Sequence, residues 1–167
     1  MIAPDKMVYK LRNNQRYFWS KKPLELSHFR IKKNIESDTT ATVYPSIVGE
    51  ISKVFNYPPV ILFTSDDIGR SWIDTSQFGN SEEDRKLLNQ LLEHEKKHFD
   101  LMEIYVRLAE DSLKKNFLKS YQEKYDVIRH YYKIADSVQK VFDFETGNGT
   151  NEKGIDKWNN TINSKIN

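Results

Sequence analysis

Residues 87–111 read LLNQLLEHEKKHFDLMEIYVRLAED, and inside them His94-Glu95-Lys96-Lys97-His98 spells H-E-x-x-H. The flanking run is rich in helix formers, so the motif is expected on a helix. Residues four apart stack on one helical face, which lets both imidazoles reach a single zinc ion from the same side. Glu95 follows the first imidazole directly, where a carboxylate can deprotonate a zinc-bound water. Zinc lowers the pKa of that water from about 16 to roughly 7, and the glutamate takes the proton. The competing explanation is a solvated helix whose charges spell the motif by chance, with Lys96 and Lys97 facing water.

The surroundings of the motif argue against chance. Ser81 is an expected N-cap, with Glu82, Glu83 and Asp84 in the first turn, where the helix dipole favours negative charge. Asp84, three residues on, makes a weak capping box with Ser81. Leu87, Leu88, Leu91, Leu92, Glu95, His98, Met102, Tyr105 and Ala109 trace a stripe at helical spacing. Glu95 and His98 interrupt that stripe and His94 lies at its edge. Polar groups aimed at a core need partners, and a metal would satisfy all three together. Histidines bonded to backbone carbonyls are the plainer alternative.

Working outward, residues 1–75 are strand-rich and residues 80–167 helical. Met7, Tyr9 and Leu11 alternate with polar neighbours, residues 38–51 are rich in Thr, Val and Ile, and residues 54–64 read VFNYPPVILFT. Pro58 and Pro59 cannot donate to a central ladder, so they belong at an edge or bulge. These stretches predict a small antiparallel sheet, with Ser71-Trp72-Ile73 as a last short strand. Residues 24–31, carrying His28, predict a turn of helix or an irregular loop. The motif helix is expected from 81 to about 115, with Asp111-Ser112 as a candidate break. A second helix would use Phe117, Tyr121, Tyr125, Ile128, Tyr132, Ala135, Val138 and Phe142 as its inner face. The Gly147-to-Asn151 stretch is a loop, and Ile155, Trp158 and Ile162 predict a last helix. Strands first and helices after give an α+β class, in one domain over residues 1–167, with the sheet on one side of the helices.

Composition sets outer bounds. The 167 residues suit one domain, and nine Phe, nine Tyr and three Trp furnish a core despite a mean hydropathy of −0.73. A net charge of +2, with lysines spread along the chain, gives no support for nucleic-acid binding. There is no cysteine, hence no thiolate ligand or thiol nucleophile. No apolar run approaches the roughly 20 residues of a membrane span. The opening MIAPDKMVYK lacks a signal-peptide layout. That leaves a cytoplasmic start, or an expression start in place of a removed leader.

Taken together, Tyr17-Phe18-Trp19-Ser20, Pro23-Leu24, His28-Phe29, Ser71-Trp72-Ile73 and His94-Glu95-Lys96-Lys97-His98-Phe99-Asp100 resemble a bacterial family, domain-of-unknown-function family 922. Its members are usually exported and regarded as zinc-dependent peptidases with a His-Glu-x-x-His-Phe-Asp signature. Phe142-Asp143-Phe144-Glu145-Thr146, followed by Trp158, is similar to the family's Tyr-Asp-x-Glu-Thr segment and later Trp. The likeness spans about residues 17 to 162. It implies a zincin-like fold, a periplasmic or secreted location and a peptide or protein substrate. One position departs. The family follows Glu-Thr with x-His, its natural third ligand, whereas this chain has Asn148, a poor zinc ligand. Asp143 and Glu145 are then the first choices, with His130 and Glu103 as alternatives. Trp72 and Trp158 are expected in the core.

Two functional readings follow. In one, the chain is a zinc metallohydrolase, most simply a peptidase, with His94 and His98 on zinc, a third ligand from the Asp143-to-Asn148 segment, and Glu95 as general base. In the other, it is a non-catalytic binding or envelope-associated module with a degenerate metal site, which is what Asn148 favours.

Overall fold

The computed structural model describes residues 16–37, 39–51, 60–67, 69–115 and 120–166. The expected alternation at Met7, Tyr9 and Leu11, the Pro58-Pro59 pair and Phe117 lie outside the described residues.

Helix α1, Glu82–Lys115, begins as its sequence dictates. The Asp84 N–H donates to Ser81 Oγ at 3.0 Å and the Ser81 N–H to Asp84 Oδ2 at 3.2 Å, a reciprocal cap on two otherwise orphaned donors. The expected break at Asp111-Ser112 does not occur. Neither residue lies in the apolar face, which continues from Val106 and Ala109 to fully buried Leu113. Packing of that face holds the turn helical where local preference alone would let it end.

Helix α2 (Tyr121–Thr146) carries its own capping box from Ser120 and Glu123, and α3 (Glu152–Ile166) follows the loop. The inner face of α2 departs from the expected one at its tyrosines. Ile128, Ala135, Val138 and Phe142 pack inward as expected, but Tyr121, Tyr125 and Tyr132 are exposed, and Val127 and Tyr131 take the inner positions instead. Tyrosine carries an apolar ring and a hydroxyl that water solvates well, so a tyrosine stripe does not identify a buried face. Leu87, expected inside, is likewise half exposed.

The strand half corrects the expectation of a single antiparallel sheet. Its strands are β1 (Arg16–Phe18), β2 (Arg30–Lys32), β3 (Ala41–Thr42), β4 (Pro45–Ile51), β5 (Val60–Asp67) and β6 (Trp72–Asp74). They form two three-stranded sheets, ordered β1-β5-β4 and β2-β6-β3. The first is antiparallel throughout, with Phe18 opposite Ser65 and Ile47 opposite Thr64. In the second, β2 runs parallel to β6 with Ile31 opposite Ile73, and β3 is antiparallel to β6. The intervening strands β3 to β5 supply the long connection that a parallel pair requires. Residues 26–28 form a single 3₁₀ turn leading into β2.

Three apolar clusters surround α1. Leu24, Phe29, Ala41, Val43 and Ile73 meet Phe99 on the side of the second sheet. Leu62 meets Val106, Ala109 and Leu113 beside the first sheet, and Phe142, Ile162 and Ile166 meet Leu101 and Ile104 on the helical side. A buried carboxylate ties the end of the second sheet. The Asp74 carboxylate accepts from the Ile35 N–H at 2.9 Å, and from the Ser76 N–H at 2.9 Å and hydroxyl at 2.6 Å. These donors, the Ile35 amide first, hold its pKa at about 2. A folded-state pKa below the unfolded value of about 3.9 contributes stability that is present above that value and lost as pH falls through the folded one. NMR titration of the Asp74 carboxyl carbon should therefore give a midpoint near 2, and a midpoint in the ordinary carboxylate range would contradict these bonds.

Candidate metal centre

The motif lies where α1 passes between the second sheet and α2. His94, Glu95 and His98 are all buried, with 8%, 4% and 8% of their surface exposed. That degree of burial excludes the solvated-helix explanation for these three. Nor do the lysines between them simply face water. Lys96 and Lys97 both turn onto Asp100, whose Oδ1 also accepts the Trp19 indole N–H at 2.7 Å. Lys97 additionally donates to Asn163 Oδ1 on α3 at 3.2 Å. The motif's two variable positions thus pin α1 to the N-terminal segment and to α3.

Helix α2 brings the third component. Asp143 Oδ1 lies 2.8 Å from His98 Nε2 and 3.3 Å from His94 Nε2. One donor atom from each of His94, His98 and Asp143 falls within 4.8 Å of the others. Tetrahedral zinc with arms of about 2.0–2.1 Å spaces its ligand atoms about 3.3–3.4 Å apart; the His94 contact matches that spacing and the His98 contact is shorter, so the three groups could hold one ion after a small adjustment. The chemistry of His98 points the same way. Its Nδ1 faces Gln139 Oε1 at 3.2 Å while its Nε2 faces the carboxylate, so both ring nitrogens look at acceptors. A neutral imidazole has one N–H, so with the amide oxygen facing Nδ1 the second contact needs either another proton or a cation.

Charge and burial tune the group strongly. Burial lowers the His98 pKa, but the bonds to Asp143 and Gln139 and the charges of Glu95 and Asp143 outweigh it, and the net shift is upward. For Asp143, burial alone would raise the pKa, yet the two imidazoles hold the carboxyl well below the usual carboxylate range. Glu95 moves the other way. Desolvation dominates and lifts its pKa, although His98, His94 and the Val43 N–H, which donates to Glu95 Oε2 at 3.0 Å, pull it down.

Aromatic packing fixes the rings. Phe142 stacks on His94 with centroids 4.7 Å apart and planes at 17°, and meets His98 edge-on at 5.0 Å. Trp158, half-buried, backs Phe142 at 5.5 Å, and Trp72 is buried in the strand half, so both tryptophans are packing residues. After α2 the chain turns with three positive φ angles in succession, at Gly147, Asn148 and Gly149. A Cβ on Gly149 would sit 3.3 Å from the His94 ring, so glycine allows both the φ of +90° and the close approach of the loop. Asn148 itself is exposed, and its N–H donates to the Asp143 carbonyl at 2.9 Å, which helps end the helix just beyond the acidic residue.

The remaining candidates lie elsewhere. Glu145 Oε2 accepts from Lys157 Nζ and Trp158 Nε1, both at 2.8 Å, and is not in the cluster. Two residues apart on a helix means about 200° of rotation, so Asp143 and Glu145 cannot both face α1. Glu103 accepts from the Thr64 hydroxyl and from Arg107. His28 Nδ1 accepts the Glu25 N–H inside the 3₁₀ turn. His130 lines an open cavity of about 460 Å³ with Ser112, Glu123 and Tyr131 at the far end of α1. Gln139 and Val43 were not expected at the site. Gln139 sits one turn before Asp143, so the four-residue spacing was available in the sequence, whereas Val43 is reached only through the sheet.

No described helix is long and apolar enough to cross a membrane. Comparison with known proteins gives no match to this chain among family models, curated proteins or solved structures.

Proposed function

We propose that this chain is a zinc-dependent metallohydrolase acting on peptide bonds, with His94, His98 and Asp143 as metal ligands and Glu95 as general base. The convergence of those three donors beside a buried glutamate carries the reading. Zinc bound there would supply a Lewis acid that brings the pKa of water from about 16 to roughly 7 and polarises a scissile carbonyl. Glu95 stands outside the ligand set, with Oε2 held by the Val43 amide and Oε1 left to take the proton of the attacking water. Asp143 takes the role that a histidine at position 148 would have in the family this chain resembles. A zincin-like fold and an exported location come with the same resemblance and belong to the proposal.

The test compares Asp143→Ala with Glu145→Ala. Zinc affinity should fall in Asp143→Ala by more than the roughly 10–100-fold typical of losing an outer-shell partner, and hydrolysis of peptide substrates should vanish with it. Glu145→Ala, which loses only the bonds to Lys157 and Trp158, should keep wild-type affinity. Equal affinity in wild type and Asp143→Ala would remove Asp143 from the ligand set. A wild-type chain that binds zinc but cleaves no peptide would support the non-catalytic module instead.

A further inference from the structure

We propose that Gln139 is a positioning residue of the metal centre, its amide oxygen accepting the Nδ1 proton of His98 and so committing Nε2 to the ion. This rests on the zinc reading above and adds what sets the tautomer of one ligand. Gln139 and Asp143 are four apart on α2 and both reach His98, from opposite edges of its ring, at 3.2 and 2.8 Å. One face of α2 therefore offers an oxygen to the metal and a second oxygen to a residue that ligates it.

A neutral imidazole exchanges its single proton between two nitrogens. With no acceptor at Nδ1, the proton is drawn to Nε2 by the Asp143 carboxylate, and there it competes directly with a cation. An acceptor at Nδ1 reverses that bias, frees the Nε2 lone pair and raises its basicity. Phe142 packs edge-on against the His98 ring at 5.0 Å and supports its orientation between the two oxygens. An amide in this position, in place of a carboxylate, adds no negative charge. Two imidazoles and one carboxylate around a divalent ion leave a net charge of +1, which keeps the centre electrophilic.

The two ends of the Gln139 amide are nearly isosteric, so the decisive variant is one that can only accept. Zinc affinity, by chelator competition, and the zinc-induced rise in Tm should be measured on the full chain for wild type, Gln139→Leu and Gln139→Glu. Gln139→Leu should bind zinc about 10–100-fold more weakly, with a smaller zinc-induced rise in Tm than wild type. Gln139→Glu should match wild type or bind more tightly. If the amide nitrogen instead donates to Nδ1, Gln139→Glu will lose affinity as Gln139→Leu does, and the proposal is overturned. Zinc binding that ignores both substitutions overturns the positioning role alone, whereas wild type that binds no zinc overturns the underlying reading too. Should Gln139→Leu fail to fold, the sign of the Gln139→Glu effect decides by itself. Long-range ¹⁵N–¹H spectra of zinc-loaded wild type offer an independent check: His98 protonated at Nδ1 supports the assignment, and protonation at Nε2 refutes it.

Discussion

Replacing both imidazoles, His94→Ala with His98→Ala, should abolish zinc binding and with it the stabilisation that zinc confers. Free zinc at 100 times Kd stabilises a protein that binds it only when folded by about 2.7 kcal/mol. For a chain of this length each kcal/mol moves Tm by about 2–4 °C, so zinc should raise the wild-type Tm by roughly 5–11 °C. The double variant should show no rise at all. Its metal-free Tm will also drop, because His94 and His98 both pack against Phe142 and their truncation leaves space in a buried cluster. The zinc-induced increment is therefore the measure, and equal increments in the two proteins would dispose of the metal centre.

The second large effect belongs to Glu95→Gln. The substitution keeps the shape and an oxygen that can accept the Val43 N–H, so the fold and the zinc affinity should survive. What it removes is the site for a proton. General acid–base catalysis by one positioned group is worth about 10²–10⁴ in rate, and hydrolysis of a quenched fluorescent peptide library should fall by that factor. Zinc content measured on the same preparation keeps a lost base distinct from a lost metal. A variant that cleaves at the wild-type rate would show that Glu95 is not the base, and the mechanism would have to be abandoned whether or not zinc is bound.

The difference between these two variants follows from how the segment 94–98 is held. All five of its residues are held: His94 and His98 share Asp143 on α2, Glu95 is bonded to the chain just after β3, Lys96 lies over the Trp19 ring, and Lys97 reaches Asn163 on α3. A helix bound on every side presents its side chains with little rotamer freedom, which is what a metal centre requires of its supports. The two lysines, read from sequence as solvent-facing, belong to that scaffold. Long side chains bury their stems and neutralise their ends on a carboxylate, so charge alone does not mark a residue as exposed.

By itself the sequence determined the α+β class, the position and start of α1, the loop after α2 and the pairing of His94 with His98. All of these follow from local rules: helical spacing, a Ser-to-Asp cap, glycine's tolerance of positive φ, and the stacking of residues four apart. Tertiary structure alone decided which carboxylate joins the histidines. Asp143 and Glu145 are equivalent in sequence, and only the rotation of α2 on α1 turns Asp143 inward and leaves Glu145 to Lys157 and Trp158. Ala135, Val138 and Phe142 pack inward as their spacing predicts, but Val127 and Tyr131 replace the exposed Tyr121, Tyr125 and Tyr132, so the stripe as read left the orientation of the helix end open. The division into two sheets, the parallel pairing of β2 with β6 and the Val43 contact to Glu95 have the same origin. The last two join residues 42 and 52 apart, and such contacts depend on how whole surfaces fit together, which no local pattern encodes.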